Sequence, residues 1–305
     1  MKTFMPFKLE WVIHEDADGL LIREFLGKQH ISKRALTAIK FSGGKIMVDG
    51  KEQNVRYRLK KGERLIVVFP PETPSESLQA ENIPLSIVYE DPYLLVISKP
   101  AGMNTIPSRE HPSGSLANAL LGYYEKKGIQ AAPHIVTRLD RHTSGLVLAV
   151  KSRHIHHLFS EMQKKRGVKR TYQALAEGIF LNHQGTIEQP IGRKESSIIE
   201  RTVREDGQYA CTHYEVLRQY DQFAHVQLTL DTGRTHQIRV HLSFIGHPLL
   251  GDDLYGGNTS FISRQALHCA NLQFYHPVFQ RDMEFSEPLP LDMKQILAFH
   301  TKIDL

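Results

Sequence analysis

The apolar positions of this chain repeat at a helical spacing near its start and at a strand spacing through much of the remainder. Residues 20–26 carry their apolar side chains on one helical face, and Ser32 stands where a cap belongs before a second helical run over residues 33–41, which Gly43-Gly44 ends. Residues 45–50 and 62–69 alternate as two short strands, so two helices and a small hairpin are predicted there. Pro70-Pro71-Glu72-Thr73-Pro74-Ser75-Glu76-Ser77 lacks large apolar side chains and predicts an extended linker from which the first module could swing. From residue 85 on, branched and aromatic runs at 86–89, 94–97, 145–150, 171–176, 212–217 and 224–230 favour strands, and residues 115–127, 154–165 and 236–244 fit helices. The expected fold class is α+β. A small helix-helix-hairpin module over 1–69 precedes a linker at 70–84 and a mixed α/β domain on a largely antiparallel sheet over 85–305.

Composition narrows the class. At 305 residues, 41% hydrophobic and 23% charged, the chain fits a soluble globular protein with one large and one small domain. No apolar stretch approaches bilayer length, and the opening Met1-Lys2-Thr3-Phe4-Met5-Pro6-Phe7-Lys8 leads into charged residues rather than a secretory core. A cytoplasmic protein with no membrane partner is therefore expected. Cys211 and Cys269 are too few for a disulfide framework, or for a closed zinc site built from sulfur alone, and should be reduced and packed. The net charge of +5 is unevenly placed. Residues 1–70 hold 14 Lys and Arg against 8 Asp and Glu, and the other 235 hold 24 against 25. A basic module on a near-neutral body points to a polyanion partner.

The segment with most chemistry is Arg138-Leu139-Asp140-Arg141-His142-Thr143-Ser144-Gly145, which runs into the apolar stretch 146–150. Two guanidinium groups flanking one carboxylate favour its charged form at the edge of a poorly solvated interior, which is what an aspartate nucleophile needs. A structural ion pair or turn cap is the bland role for the same residues. Three further segments accompany it: residues 89–102, which contain Ser98-Lys99-Pro100-Ala101-Gly102; Lys169-Arg170-Thr171-Tyr172-Gln173-Ala174-Leu175; and Asp231-Thr232-Gly233-Arg234-Thr235-His236-Gln237-Ile238-Arg239-Val240-His241, continuing to Gly246-His247-Pro248-Leu249-Leu250-Gly251-Asp252. In this order, from about residue 85 to 288, they resemble the ribosomal large-subunit type of pseudouridine synthase, the RluA/RluD family. Residues 18–69 similarly resemble the alpha-L RNA-binding motif. Lys33, Arg34, Lys40 and Lys45 would lie along its exposed second helix and exit, placed to meet successive phosphates.

The resemblance implies an isomerase that flips a uridine out of its RNA and reattaches the base through carbon. Such a reaction oxidises nothing and needs no cofactor or metal. Asp140 would be its catalytic aspartate, with Arg138 filling the space the base vacates. The Tyr172 ring would stack on the uracil, its hydroxyl a candidate for removing the proton at the new attachment carbon. Arg234 is expected to orient Asp140, with Arg239 as the competing guanidinium. Leu267 is either the apolar floor beneath the base or ordinary core. Thr137 stands where many relatives carry histidine, and His142 replaces an acidic or small residue. Ribosomal RNA is the favoured partner, with transfer RNA open, and a monomer is favoured.

Other signals carry less. His154, His156 and His157, and likewise His236 and His241, lack a Cys or carboxylate at metal-site spacing. Ser42-Gly43-Gly44-Lys45 lacks phosphate-loop spacing, and Ser144-Gly145 is no nucleophile elbow. The rival readings are a catalytically silent RNA-binding or ribosome-assembly factor, and a hydrolase of N-glycosidic bonds that would release free uracil.

Overall fold

The computed structural model describes residues 6–300; Met1 to Met5 of the opening segment and residues 301–305 lie outside the described residues. Strands β1 (Lys8–Val12), β2 (Lys45–Val48), β3 (Lys51–Glu52) and β4 (Arg64–Val68) form a four-stranded antiparallel sheet in the order β1-β4-β2-β3. Helices α1 (Ile22–Lys28) and α2 (Lys33–Phe41) accompany it, and the Ser32 hydroxyl caps α2 by accepting from the Ala35 amide at 3.1 Å. Leu9, Ile22, Leu26, Ile39, Leu65 and Val67 belong to a core of its own. The expected hairpin is thus the centre of a larger sheet. The alternating Lys-Leu-Glu-Trp-Val of β1 adds an edge strand to it.

The second sheet has ten strands. Its continuous path is β10 (Gln184–Glu188), β13 (Cys211–Gln219), β14 (Phe223–Leu230), β9 (Val168–Glu177), β15 (Leu267–His276), β8 (Ser144–Val150), β6 (Leu94–Lys99) and β5 (Ser86–Glu90). Strand β16 (Arg281–Ser286) pairs with β15, and β7 (His134–Ile135) with β8. Strands β11 (Ile191–Arg193) and β12 (Arg201–Val203) form a separate ribbon. Helices α3 (Leu116–Lys127), α4 (Arg153–Lys164), α5 (Gln237–Phe244) and α6 (Leu291–Phe299) complete the fold. The sheet is antiparallel at every pairing except β8 with β15, where Ser144 and Gly145 run beside His268 and Cys269. Gly145, at φ +112°, makes that passage possible: a Cβ there would sit 2.3 Å from the Cys269 carbonyl oxygen. This junction follows closely on the Asp140 loop, so a tight crossing of the sheet anchors the segment with most chemistry.

Segment 70–84 has no helix or strand, as its prolines predict, but it is fastened to the body rather than free to swing. Glu72 accepts from the Arg153 amide at 2.6 Å and pairs with His134; Asn118 donates to the Gln79 carbonyl at 2.8 Å; the Glu81 carboxylate accepts from the Gly114 amide at 2.9 Å. Three of these contacts satisfy a backbone group on the segment or near a helix start, which composition alone does not reveal. The Phe69 ring stacks on buried His154 at 5.3 Å, tying the first core to α4. Among the described residues, no helix is long and apolar enough to cross a membrane.

Candidate active site

Asp140 sits on a loop held from three directions. The Thr105 hydroxyl donates to the Leu139 carbonyl at 2.7 Å and accepts from its amide at 3.2 Å. Buried Lys99, from the end of β6, donates to the carbonyls of Pro100, Met103 and Arg141 at 2.9, 2.8 and 3.2 Å. Arg264 donates to the His142 carbonyl at 3.1 Å while forking onto Asp292. Thr137 takes up its departure from the family pattern structurally: its hydroxyl accepts from the Leu148 amide at 2.9 Å, pinning the loop's entry to β8. Burial pulls the Lys99 ammonium down to about 7, with the charge of Asp140 opposing the shift. Sequence reasoning missed Lys99, although it lies in a segment singled out for its pattern.

The partner expected for Asp140 is not Arg234. Arg234 is exposed in the loop before α5 and donates through Nε to the Tyr209 carbonyl at 3.0 Å. Arg239, in the first turn of α5, faces inward instead, and its Nη1 lies 3.6 Å from Asp140 Oδ2. Its other nitrogens fork onto Asp252, which is fully buried, at 2.7 Å each. The Arg239 guanidinium is therefore immobilised by one carboxylate while presenting its free edge to another. His236 approaches Oδ2 as well, with Nε2 at 3.9 Å. The neighbouring guanidinium groups do not pair with Asp140: Arg141 turns to the Gly102 carbonyl and His111, and Arg138 is exposed, without a hydrogen bond or ion pair among the described residues. The Asp140 carboxylate accepts no hydrogen bond from the described residues, and the side chain is 29% exposed. It is positioned by charge and left open to a ligand.

Asp140 lines a cleft of about 1100 Å³ whose walls carry Arg138, Arg141, Lys169, Arg170, Arg166 and Arg234 against two acids, Asp140 and Asp231. Six cations along one cleft suit a phosphate backbone. A smaller recess of about 70 Å³ shares Asp140, Arg138 and Arg234 with it and is closed by Tyr172, Leu267, Ile238 and Arg239. Leu267, at the start of β15, thus borders both the core and the recess. Tyr172, on β9, is 4% exposed, and its hydroxyl accepts from Arg170 at 3.1 Å. Burial pushes its phenol well above the ordinary range, against the opposing charge of Arg170. Tyr172 borders the recess, where its ring offers a stacking surface to a base.

Gln237 and His241 hold the scaffold together. The Gln237 side chain bridges the Arg234 amide, Thr232 and the Cys211 carbonyl; His241 spans Thr212 and the Gln189 carbonyl. Both cysteines are buried and unpaired. One group among the described residues has metal-ligand character, Cys211, His213 and Asp231, whose ligand atoms lie within 4.8 Å of one another. Asp231 is also paired with Arg166 at 2.8 Å, and burial pushes the Cys211 thiol up. Sequence spacing did not reveal this cluster because Asp231 reaches it from the end of β14. Lys33, Arg34, Lys40 and Lys45 lie on α2 and its exit, largely open to solvent, with Lys40 over the Phe41 ring at 4.8 Å.

The family profile described as RNA pseudouridylate synthase matches residues 93–244, which hold Asp140, Tyr172, Arg234 and Arg239. A Bacillus subtilis (strain 168) protein named uncharacterized RNA pseudouridine synthase YjbO is 51% identical over 278 residues, 91% of this chain and 98% of its own. The chain belongs to the RNA pseudouridylate synthase family. As an RNA pseudouridine synthase it is an isomerase, and it is similar along most of its length to synthases of more than one kind. The Pseudomonas aeruginosa protein named ribosomal large subunit pseudouridine synthase D is 38% identical over 271 residues, 84% of this synthase and 83% of the relative. Among solved structures, human RNA pseudouridylate synthase domain containing 1 superposes with a TM-score of 0.61 at 25% identity, covering 77% of this chain and 93% of its own. The mixed sheet described above is the pseudouridine synthase fold.

Proposed function

We propose that this synthase converts uridine to pseudouridine in structured ribosomal RNA, using Asp140 as nucleophile on a base flipped into the recess. The observation that carries the reading is the placement of Asp140: a carboxylate free of hydrogen bonds, facing Arg239 and His236, where a cationic cleft meets a narrow recess. The reaction breaks the bond between ribose C1′ and uracil N1, forms one between C1′ and C5, and moves a proton from C5 to N1. No atom is gained or lost, so no redox cofactor or metal is required. The recess keeps the detached base in place and water out, with Tyr172 and Leu267 on its walls. Arg138, exposed and unpaired at the rim, fills the stack the base leaves.

Residues 1–69 act as the RNA-binding module, with Lys33, Arg34, Lys40 and Lys45 on phosphates, and 85–305 as the catalytic domain. Ribosomal RNA is favoured over transfer RNA by this basic module and by the relatives named large-subunit synthases. On that substrate the protein works in the cytoplasm. Mapping pseudouridines in total RNA from cells with and without the protein tests the reading: loss of a site in large-subunit RNA supports it. Loss confined to transfer RNA would reassign the substrate, and release of free uracil by the purified protein would make it a hydrolase.

A further inference from the structure

We infer that Tyr255 is a positioning residue for Asp140: its hydroxyl sets the ring orientation and tautomer of His236 while its ring backs the guanidinium of Arg239. One side chain then aligns both nitrogen donors that approach Asp140 Oδ2. The inference rests on the reading of Asp140 given above.

Tyr255 ends a short 3-10 turn, Asp253–Tyr255, that follows directly on Asp252, the residue Arg239 forks onto. The turn is fixed to α5 by Ser243, whose hydroxyl donates to the Tyr255 carbonyl at 2.9 Å. The Tyr255 hydroxyl oxygen accepts from the Arg201 amide at 2.9 Å, so its position is set by the backbone of β12. Its own proton has one acceptor within reach among the described residues, His236 Nδ1 at 2.8 Å. Nδ1 is then the acceptor nitrogen, and the ring proton of the neutral imidazole lies on Nε2, the nitrogen 3.9 Å from Asp140. Burial holds the His236 pKa below its ordinary value, with Asp140 opposing, which favours that neutral form.

Two further observations agree. His236 caps α5 in the left-handed region, at φ 58° and ψ 18°, a backbone state that a non-glycine residue adopts at a cost. The Tyr255 ring lies under the Arg239 guanidinium, 4.8 Å from ring centroid to Cζ, and so limits its tilt. At 3.6 and 3.9 Å the two donors are beyond hydrogen-bond length from Asp140, a separation that can close when a nucleotide fills the recess.

The test uses the full-length protein. Nitrogen NMR of imidazole-labelled enzyme, with His236 assigned through His236→Gln, reports the tautomer in the absence of RNA; Nε2 protonated and Nδ1 accepting is expected. Tyr255→Phe keeps the ring and removes the hydroxyl, and should give mixed tautomers and a kcat lower by about three- to tenfold, the range for one hydrogen bond, with KM within about twofold. His236→Gln, whose amide nitrogen falls near Nε2, should retain more than His236→Asn, whose amide falls near Nδ1. A proton on Nδ1, wild-type kcat in Tyr255→Phe, or equal losses in the Gln and Asn variants would overturn the inference. Turnover by Asp140→Ala would instead overturn the parent reading, and the imidazole spectrum distinguishes the two because it needs no turnover.

Discussion

Replacing Arg239 by Met removes two contacts at once, and the structure separates their effects. Toward Asp140, a unit charge at 3.6 Å is worth about 5 kcal/mol at an effective dielectric of about 20. Asp140 is 29% exposed and Arg239 is shared with Asp252, so about 2 kcal/mol, or roughly a 30-fold loss of kcat, is the expected share. Toward Asp252, which is fully buried, the substitution leaves an unpaired charge costing about 3 to 5 kcal/mol of stability, on the order of 10 °C in melting temperature. Arg239→Met should therefore be both slow and unstable, whereas Arg239→Met with Asp252→Leu removes the stranded charge and should regain most of the stability while staying slow. Arg234→Met, which gives up a contact to the Tyr209 carbonyl, should leave kcat within about threefold and act through RNA affinity. The assay is single-turnover pseudouridine formation at saturating RNA, paired with thermal melts. Recovery of kcat in the double variant, or collapse of kcat in stable Arg234→Met, would refute the assignment of Arg239 as the partner of Asp140.

Gly145→Ala drives a Cβ to 2.3 Å from the Cys269 carbonyl oxygen at φ +112°, so it should cost about 3 kcal/mol or more and lower activity with it; an unchanged melting temperature would contradict the close passage of β8 and β15. Lys99 holds its proton less tightly in the folded protein, its pKa lowered from 10.5 to about 7. Between those values the unfolded chain binds more protons than the folded one, so stability rises with pH from about 7 toward 10. Lys99→Met should flatten that rise, and an identical slope in denaturant melts of both proteins would count against it. Removing Lys33, Arg34, Lys40 and Lys45 together should reduce the slope of log affinity against log salt by about 0.7 to 0.9 for each phosphate no longer neutralised. An unaltered slope would place the RNA elsewhere.

Much of this protein is legible in its sequence because the signals are local. Ser32 before α2, the alternation in β2 and β4, and the apolar run of β8 each specify an element from neighbouring residues alone. The Asp140 loop and the segment bearing Arg239 are recognisable for the same reason. Direction and partnership are not. Arg234 and Arg239 are both guanidinium groups in one motif, and the choice between them depends on which face of α5 meets Asp252, a residue brought in from a later turn. Lys99 and Tyr255 lie within or just beyond recognised segments, but their roles come from carbonyls and rings supplied by distant chain. The segment at 70–84 reads as loose from its prolines, and only the amides that Glu72 and Glu81 satisfy show that it is tied.

The most direct test of the account is pseudouridine formation by Asp140→Ala on an RNA that the wild-type protein modifies, measured beside the affinity for the same RNA. The Asp140 side chain accepts no hydrogen bond from the described residues and supports the fold only through the two long approaches to Oδ2, so affinity and melting temperature should stay near wild type while product formation disappears. Continued turnover by a folded, RNA-binding Asp140→Ala protein would show that the reacting carboxylate lies elsewhere.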